Sequence, residues 1–201
     1  LVADNTAIPM KDYQSDVYGS LSDDLINRMF FEVWRAGMLK YTVTTEDDSL
    51  PAASLTSFKA EQGSIVVDAL LPPVLAQRNN QLSLQAGEIE VSVLTPGGGM
   101  GERLKAKVTV YADVEMLSVD GKVKLDLGDF EVHLMVTESD WGASEEAITR
   151  LLEENLPLES LLSVVKDFEY PLPSLAGIDL TAVALSRDGS GVFTNMAVTL
   201  K

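Results

Sequence analysis

The sequence predicts an α+β fold in which a strongly curved, long-stranded antiparallel sheet wraps around two long helices. Three observations predict it. Two stretches place apolar residues at helical spacing, most of the remaining segments alternate apolar and polar residues, and one alternating segment is unusually long. A chain of 201 residues can bury a large core without disulfides, and this one contains no cysteine.

The first helix is predicted over residues 21–39, "LSDDLINRMFFEVWRAGML". Ser22 suits its start because a hydroxyl accepts a hydrogen bond from a free backbone N–H, and Gly37 suits its end. At 100° per residue, the apolar side chains span an arc of roughly 220°, whereas a surface helix needs only about 100°. The helix must therefore be covered on more than one side. The arc consists of Leu21, Leu25, Ile26, Met29, Phe30, Val33 and Trp34.

The segments after this helix predict strands. Residues 64–73, "SIVVDALLPP", form a strand that ends at two prolines, which cannot donate to a ladder. "QLSLQA" and "EIEVSVLT" predict two alternating strands joined near Gly87. Alternation is then nearly unbroken from Arg103 to Met116, which corresponds to a single strand about 45 Å long.

A meander, a second helix and a closing hairpin follow. Asp120 and Gly121 predict a tight hairpin turn, after which "KVKLDL" and "DFEVHLMVT" continue as two strands. Residues 144–166 return to helical spacing, and Pro157 must kink or split that helix. The last two strands are predicted at 178–187 and 192–200.

The chain reads as one domain. Residues 1–19 have no strong periodicity and are predicted to be a lead-in segment, a strand or a linker. Nothing between residues 20 and 201 has the composition of a linker, so this range is predicted to form a single module.

Charge and hydropathy exclude several partners. With 15 basic and 31 acidic residues the formal net charge is −16, which argues against nucleic acid and against adsorption to anionic lipid headgroups by charge alone. No apolar run approaches the roughly 20 residues of a transmembrane helix.

Three segments resemble a known family in the right order. They are "DVYGSLSDDLINRMFFEVWRAGMLKYTV", "LLPPVLAQRNNQLSLQ" and "YPLPSLAGIDLTAVALSRDGSGVFTNMAVTLK". Together they resemble the carboxy-terminal tubular lipid-binding (TULIP) module of the bactericidal/permeability-increasing protein (BPI) family. The chain departs from the best-known members in lacking their cationic tip and cysteine pair, two features of the amino-terminal module.

The resemblance implies a carrier of a lipid or similar apolar ligand, bound between the helices and the curved sheet. It also implies export to the periplasm, the cell surface or the medium, and either a second TULIP module or a homodimer partner. Met29 and Met116 suit such a groove because thioethers adapt to irregular contours. The candidate groove residues are Leu25, Met29, Phe30, Val33, Trp34, Leu152, Leu158, Leu161, Leu162 and Val165.

The sequence predicts no enzyme, no cofactor and no metal site. His133, the one histidine, alternates with apolar neighbours and is predicted to lie on the solvent face of a strand. Ser163 and Lys166 match a Ser-x-x-Lys pattern whose companion motifs are missing. Two alternatives to a lipid carrier remain open: a protein-interaction module whose side chains fill the groove, and a lipid hydrolase, for which no convincing nucleophile and base are present.

Overall fold

The computed structural model describes residues 17–47, 49, 50, 55, 62–79, 81–95, 103–140, 144, 146, 148–150, 165–172, 184–187 and 193–198. Of these residues, 65% lie in strands and 16% are helical. The architecture is therefore dominated by antiparallel strands, which form two sheets within the described part of the chain.

The prediction of two long helices inside a curved sheet is wrong. Helix α1 spans only Asp23–Arg35, and the helical segments of the described chain are short. Leu21 accounts for part of the difference, because it lies in strand β1 (Val17–Ser22) instead of on the helix. Without Leu21 the apolar arc of α1 narrows to roughly 180°. Leu25, at one side of that arc, is 40% exposed, so this side of the helix is not packed against another element.

The second predicted helix is described only near its ends. Residues 148–150 and 165–166 are helical, while 151–164, including the kink predicted at Pro157, lie outside the described residues. Ile148 and Val165 are each 2% exposed and belong to the same apolar core as α1.

The two residues predicted to cap α1 are confirmed, although the helix itself is shorter than the predicted 21–39. The Ser22 hydroxyl accepts a hydrogen bond from the backbone N–H of Asp24 at 3.2 Å, which satisfies one of the free donors of the first turn. Two acidic residues in this turn and Arg35 in the last turn match the polarity of the helix dipole. Gly37 has a φ of 74°, the left-handed conformation that reverses the chain after a helix.

The large sheet is antiparallel and curls into a half-barrel. Its strands run in the order β2-β3-β5-β6-β7-β8, and β4 pairs with β5 beyond the end of β3. Pro72 and Pro73 separate β3 from β4, so the two short strands together line one edge of β5. The strands are β2 (Lys40–Thr44), β3 (Ser64–Ala69), β4 (Val74–Arg78), β5 (Gln81–Leu94), β6 (Arg103–Val119), β7 (Lys122–Ser139) and β8 (Glu169–Pro171).

Two bulges replace turns that the sequence predicts. The register of β5 against β6 shifts between Ala86 and Ile89, so the residues on both sides of Gly87 form one strand instead of two. The register of β6 against β7 shifts opposite Gly128 in the same way. A bulge adds a residue and bends the strand, which returns the following apolar residues to the same face. The predicted turn at Asp120 and Gly121 is confirmed, with φ of 51° and 71°.

The small sheet contains β1, β9 (Ala184–Arg187) and β10 (Phe193–Val198) in the order β1-β10-β9. It packs against the large sheet near the end of β6, where the Thr194 hydroxyl donates to the Met116 sulfur at 3.2 Å. β1 runs directly into α1, so the small sheet and the helix are joined without a loop.

The core lies on the inner face of the large sheet. Every inward residue of β6 from Leu104 to Met116 is at most 9% exposed, and Ile26 and Phe30 of α1 belong to the same cluster. Among the described residues, no helix has the length and apolar character needed to cross a membrane.

Candidate functional site

A cavity of about 470 Å³ lies where the small sheet meets the large sheet. Its walls come from the start of β5, the second half of β6, the bulge region of β7, and strands β9 and β10. The volume falls in the range of about 300–1,000 Å³ that is usual for small-molecule sites.

Apolar side chains form one part of the cavity wall. Leu82, Val114 and Met116 are 6%, 8% and 9% exposed, and Leu185 of the small sheet is half-buried opposite them. The Met116 sulfur accepts a hydrogen bond from Thr194, which fixes this otherwise flexible side chain at the wall. This part of the cavity therefore offers an apolar ligand both fixed and adaptable contacts.

Charged side chains form another part of the wall. Asp113, Glu115 and Asp126 are exposed and acidic, and Arg187 lies across from them on β9. The bulge opposite Gly128 produces this mixture, because it sets residues from both faces of β6 and β7 around one opening. The cavity is therefore apolar on one side and charged on another.

Arg187 is held in place by Asp23. Its Nη1 and Nη2 donate to Asp23 Oδ1 and Oδ2 at 2.6 and 2.8 Å, and Nη1 also donates to Thr194 Oγ1 at 3.1 Å. Asp23 is 6% exposed in the first turn of α1, where the helix dipole favours a carboxylate. The two-point contact fixes the plane of the guanidinium and compensates its charge at the cavity wall.

Four of the five predicted groove residues on α1 lie in or against the core. Phe30 is 3% exposed, and its ring meets Phe168 edge-on with centroids 5.8 Å apart. Met29, Val33 and Trp34 are partly buried against the same cluster, and the Trp34 indole N–H donates to the Ala69 carbonyl oxygen at 2.7 Å.

The remaining predicted groove residues divide into two groups. Val165 is buried in the core near Phe168, whereas Leu25 is 40% exposed. Leu152, Leu158, Leu161 and Leu162 lie outside the described residues. The structure brings Phe30 and Val165 into one cluster, and a ligand groove along these ten residues stays a prediction.

Of the residues that line the cavity, only Met116 is suggested as a ligand contact by the sequence. Leu82 of β5, and Leu185 and Arg187 of β9, are not indicated by any sequence pattern. A usable signal exists in β7, where apolar residues change from odd to even positions at Gly128 without a turn-forming pair. Such a change of parity marks a bulge, and bulges are frequent beside functional sites.

His133 lies on the outer face of β7, as predicted, and is half-exposed. Its Nε2 lies 3.0 Å from Glu131 Oε1, and its ring meets Tyr111 edge-on. Within the described ranges, no three His, Cys, Asp or Glu side chains are grouped so that they could hold a metal ion. Ser163 of the Ser-x-x-Lys pattern falls outside those ranges.

No family model matches the chain, and no curated protein matches it significantly. Among solved structures it is similar to a crystal structure of lipopolysaccharide binding protein, with 18% sequence identity and a TM-score of 0.45. The match covers 98% of this chain and 46% of that protein, so the chain spans about half its length. It agrees only coarsely with the family resemblance in the sequence, and at this identity and TM-score it carries no argument about function.

Proposed function

We propose that the protein binds a small apolar or amphiphilic ligand, without bond chemistry, in the cavity between its two sheets. The observation that carries this proposal is the cavity of about 470 Å³ with Leu82, Val114, Met116 and Leu185 on its wall. Burial of apolar ligand surface against such a wall contributes roughly 25 cal/mol per Å². Specificity then follows from the shape of the cavity and a few polar contacts.

The charged part of the wall extends the proposal to amphiphiles. An apolar tail packs against the wall at Met116, while a polar head remains near Asp113, Asp126 and Arg187 at the opening. A lipid acyl chain fits this arrangement and is also the kind of ligand that the sequence leads us to expect. The proposed site lies between the sheets, so it does not depend on a groove between two helices.

A cavity-filling variant tests the proposal. Leu185→Trp places a larger side chain in the cavity, and Leu94→Trp is the matched control, since Leu94 is 41% exposed at the far end of β5. The probe is 11-(dansylamino)undecanoic acid, followed by its fluorescence during titration. We expect Leu185→Trp to weaken binding at least about tenfold, because the probe loses its apolar contacts. Leu94→Trp should bind like the wild type.

Equal affinity of the wild type and both variants would place the bound probe elsewhere and remove the basis of the proposal. Circular dichroism of each variant checks that the sheets remain folded. Native mass spectrometry after gentle purification adds an independent measurement, because a carrier should release a co-purified fatty acid or phospholipid.

A second candidate function is a protein-interaction module whose own side chains fill the groove predicted along α1. It is favoured by the burial of Ile26, Phe30 and Val165, which are 0%, 3% and 2% exposed. A mass without bound lipid, together with a stable complex, would favour this module over the carrier.

A further inference from the structure

The outer edge of β7 is long and open to pairing within the described part of the chain. β8 pairs only with Lys122, Val123 and Lys124 of β7. From Leu125 onward, β6 is the one strand to which β7 pairs among the described residues. In an antiparallel edge strand, every second residue turns both its N–H and its C=O away from its neighbour. We call residues 130–137, which follow the bulge, the β7 edge.

The β7 edge lacks several devices that usually prevent strand pairing. It contains no proline and no lysine or arginine, and its inward positions are all apolar. The bulge at Gly128 lies before it, and from Phe130 to Val136 its pairing with β6 is regular; a second register shift falls at its last residue, Thr137. Phe130 and Met135 are each 54% exposed, so an added strand would find apolar surface on both faces.

Within β7 itself the charged side chains of this region are acidic, whereas the neighbouring strands carry Arg78 on β4 and Lys105 on β6, the latter paired in register with Glu138. Asp126, Asp129, Glu131 and Glu138 are all exposed, and no lysine or arginine occurs between residues 125 and 140. Glu131 contacts Arg78 of β4 at 3.1 Å, with His133 on its other side. The carboxylates before and after it lie in a strongly acidic protein and are not matched by basic residues of their own strand.

We propose that the β7 edge binds an extended, basic segment of a partner protein, which adds a strand to the large sheet. Backbone hydrogen bonds would give affinity, and basic side chains opposite Asp129 and Glu138 would give selectivity. The same charges disfavour a second copy of this chain, because two β7 edges would bring carboxylates together. The inference is independent of the ligand proposed for the cavity.

Synthetic peptides test the charge and the strand pairing separately. The probe is fluorescein-labelled KVKVTVKVK, with EVEVTVEVE as the charge control and KVKVPVKVK as a control that interrupts a strand. Fluorescence anisotropy is measured at about 0.15 M ionic strength, where distant charges are largely screened. We expect the basic peptide to bind at least about tenfold more tightly than either control.

A pair of protein variants tests the location. Asp129→Lys with Glu138→Lys reverses two charges at the β7 edge, whereas Glu32→Lys with Glu46→Lys makes the same change of net charge on α1 and after β2. All four carboxylates are exposed, so the fold should survive in both variants. The first variant should weaken binding of KVKVTVKVK about tenfold, and the second less than about twofold.

Amide hydrogen exchange identifies the pairing itself. Binding of KVKVTVKVK should slow the exchange of outward backbone N–H groups in residues 130–137 and leave β2, at the other edge, unchanged. Equal loss of affinity in both protein variants, protection outside β7, or tight binding of KVKVPVKVK would each overturn the proposal. Concentration-dependent dimerisation through β7 in sedimentation would also overturn it, in favour of a second copy.

Discussion

Glu169 ties the short strand β8 to the large sheet. Its carboxylate accepts hydrogen bonds from Lys122 and from Lys124, the latter at 2.7 Å, and both lysines lie opposite β8 on β7. The hydrogen bonds from these two cations, and then their charges, lower the pKa of Glu169 from 4.5 to about 2. Glu169 therefore forms ion pairs with two lysines at once.

This arrangement predicts an effect of pH on stability. Because the folded pKa of Glu169 is depressed, its stabilisation is fully present above the unfolded value of 4.5 and is lost as pH falls toward about 2. Urea unfolding of the wild type and of Glu169→Gln should thus show a difference in midpoint that is constant above pH 4.5 and shrinks below it.

The lysines provide the control for this prediction. In a variant with Lys122→Gln and Lys124→Gln, the pKa of Glu169, measured by NMR titration, should rise toward its ordinary value. A pKa still near 2 in that variant would show that the two lysines are not what lowers it.

At the scale of elements, side chains of α1 form hydrogen bonds with the backbone on both sides of the break between β3 and β4. The Asn27 side chain donates to the Leu75 carbonyl oxygen at 2.9 Å and accepts from the Leu75 N–H at 2.6 Å. Two turns later, the indole of Trp34 donates to the carbonyl oxygen of Ala69. These contacts satisfy backbone groups that Pro72 and Pro73 prevent from joining a continuous ladder.

Replacing Asn27 by alanine should be costly. Asn27→Ala leaves a buried N–H and a buried C=O of Leu75 without their partner, so we expect a loss of about 2–3 kcal/mol in the free energy of unfolding. Arg28→Ala, on the exposed side of the same helix, should change stability by less than about 0.5 kcal/mol. Similar losses in both variants, measured by urea denaturation, would argue against the role of this contact.

Local patterns predicted most elements, and their errors have a physical reason. Ser22 and Gly37 were identified as the ends of the helix because capping depends on nearby backbone groups. Gly87 is predicted to join two strands, and Gly128 separates the predicted strands "KVKLDL" and "DFEVHLMVT", since glycine suits a turn and a bulge equally well. At both glycines the apolar residues change between even and odd positions, which is typical of a bulge. The strand continues with the same neighbour on both sides of the glycine, whereas a turn would begin a new strand.

At the scale of the whole molecule, the pair of Asp23 and Arg187 links the small sheet to the helix beside the large one. These residues are 164 positions apart in the chain, and the Asp23 side chain is 8% exposed. Asp23 follows Ser22 in the first turn of α1, where a carboxylate is favourable, but no local pattern indicates its distant partner. The cavity wall was missed for the same reason, since it is assembled from five strands.

A double-mutant cycle measures this link. Arg187→Met leaves a largely buried carboxylate without its cation and should cost about 3 kcal/mol, and Asp23→Asn should cost about 2 kcal/mol. The double variant should be less destabilised than the sum of the two by at least about 1 kcal/mol, because the residues are in direct contact. Additive losses in urea unfolding would contradict the coupling.

The pairing of β1 with β10 bears on the synthesis of the protein. Tyr18 on β1 and Asn195 on β10 are in contact although they are 177 positions apart. At ribosomal speed the first of them emerges on the order of 10 to 30 s before the second. The native partners of β1 and of Asp23 are therefore absent during that time, and the small sheet can form only after β10 has been synthesised.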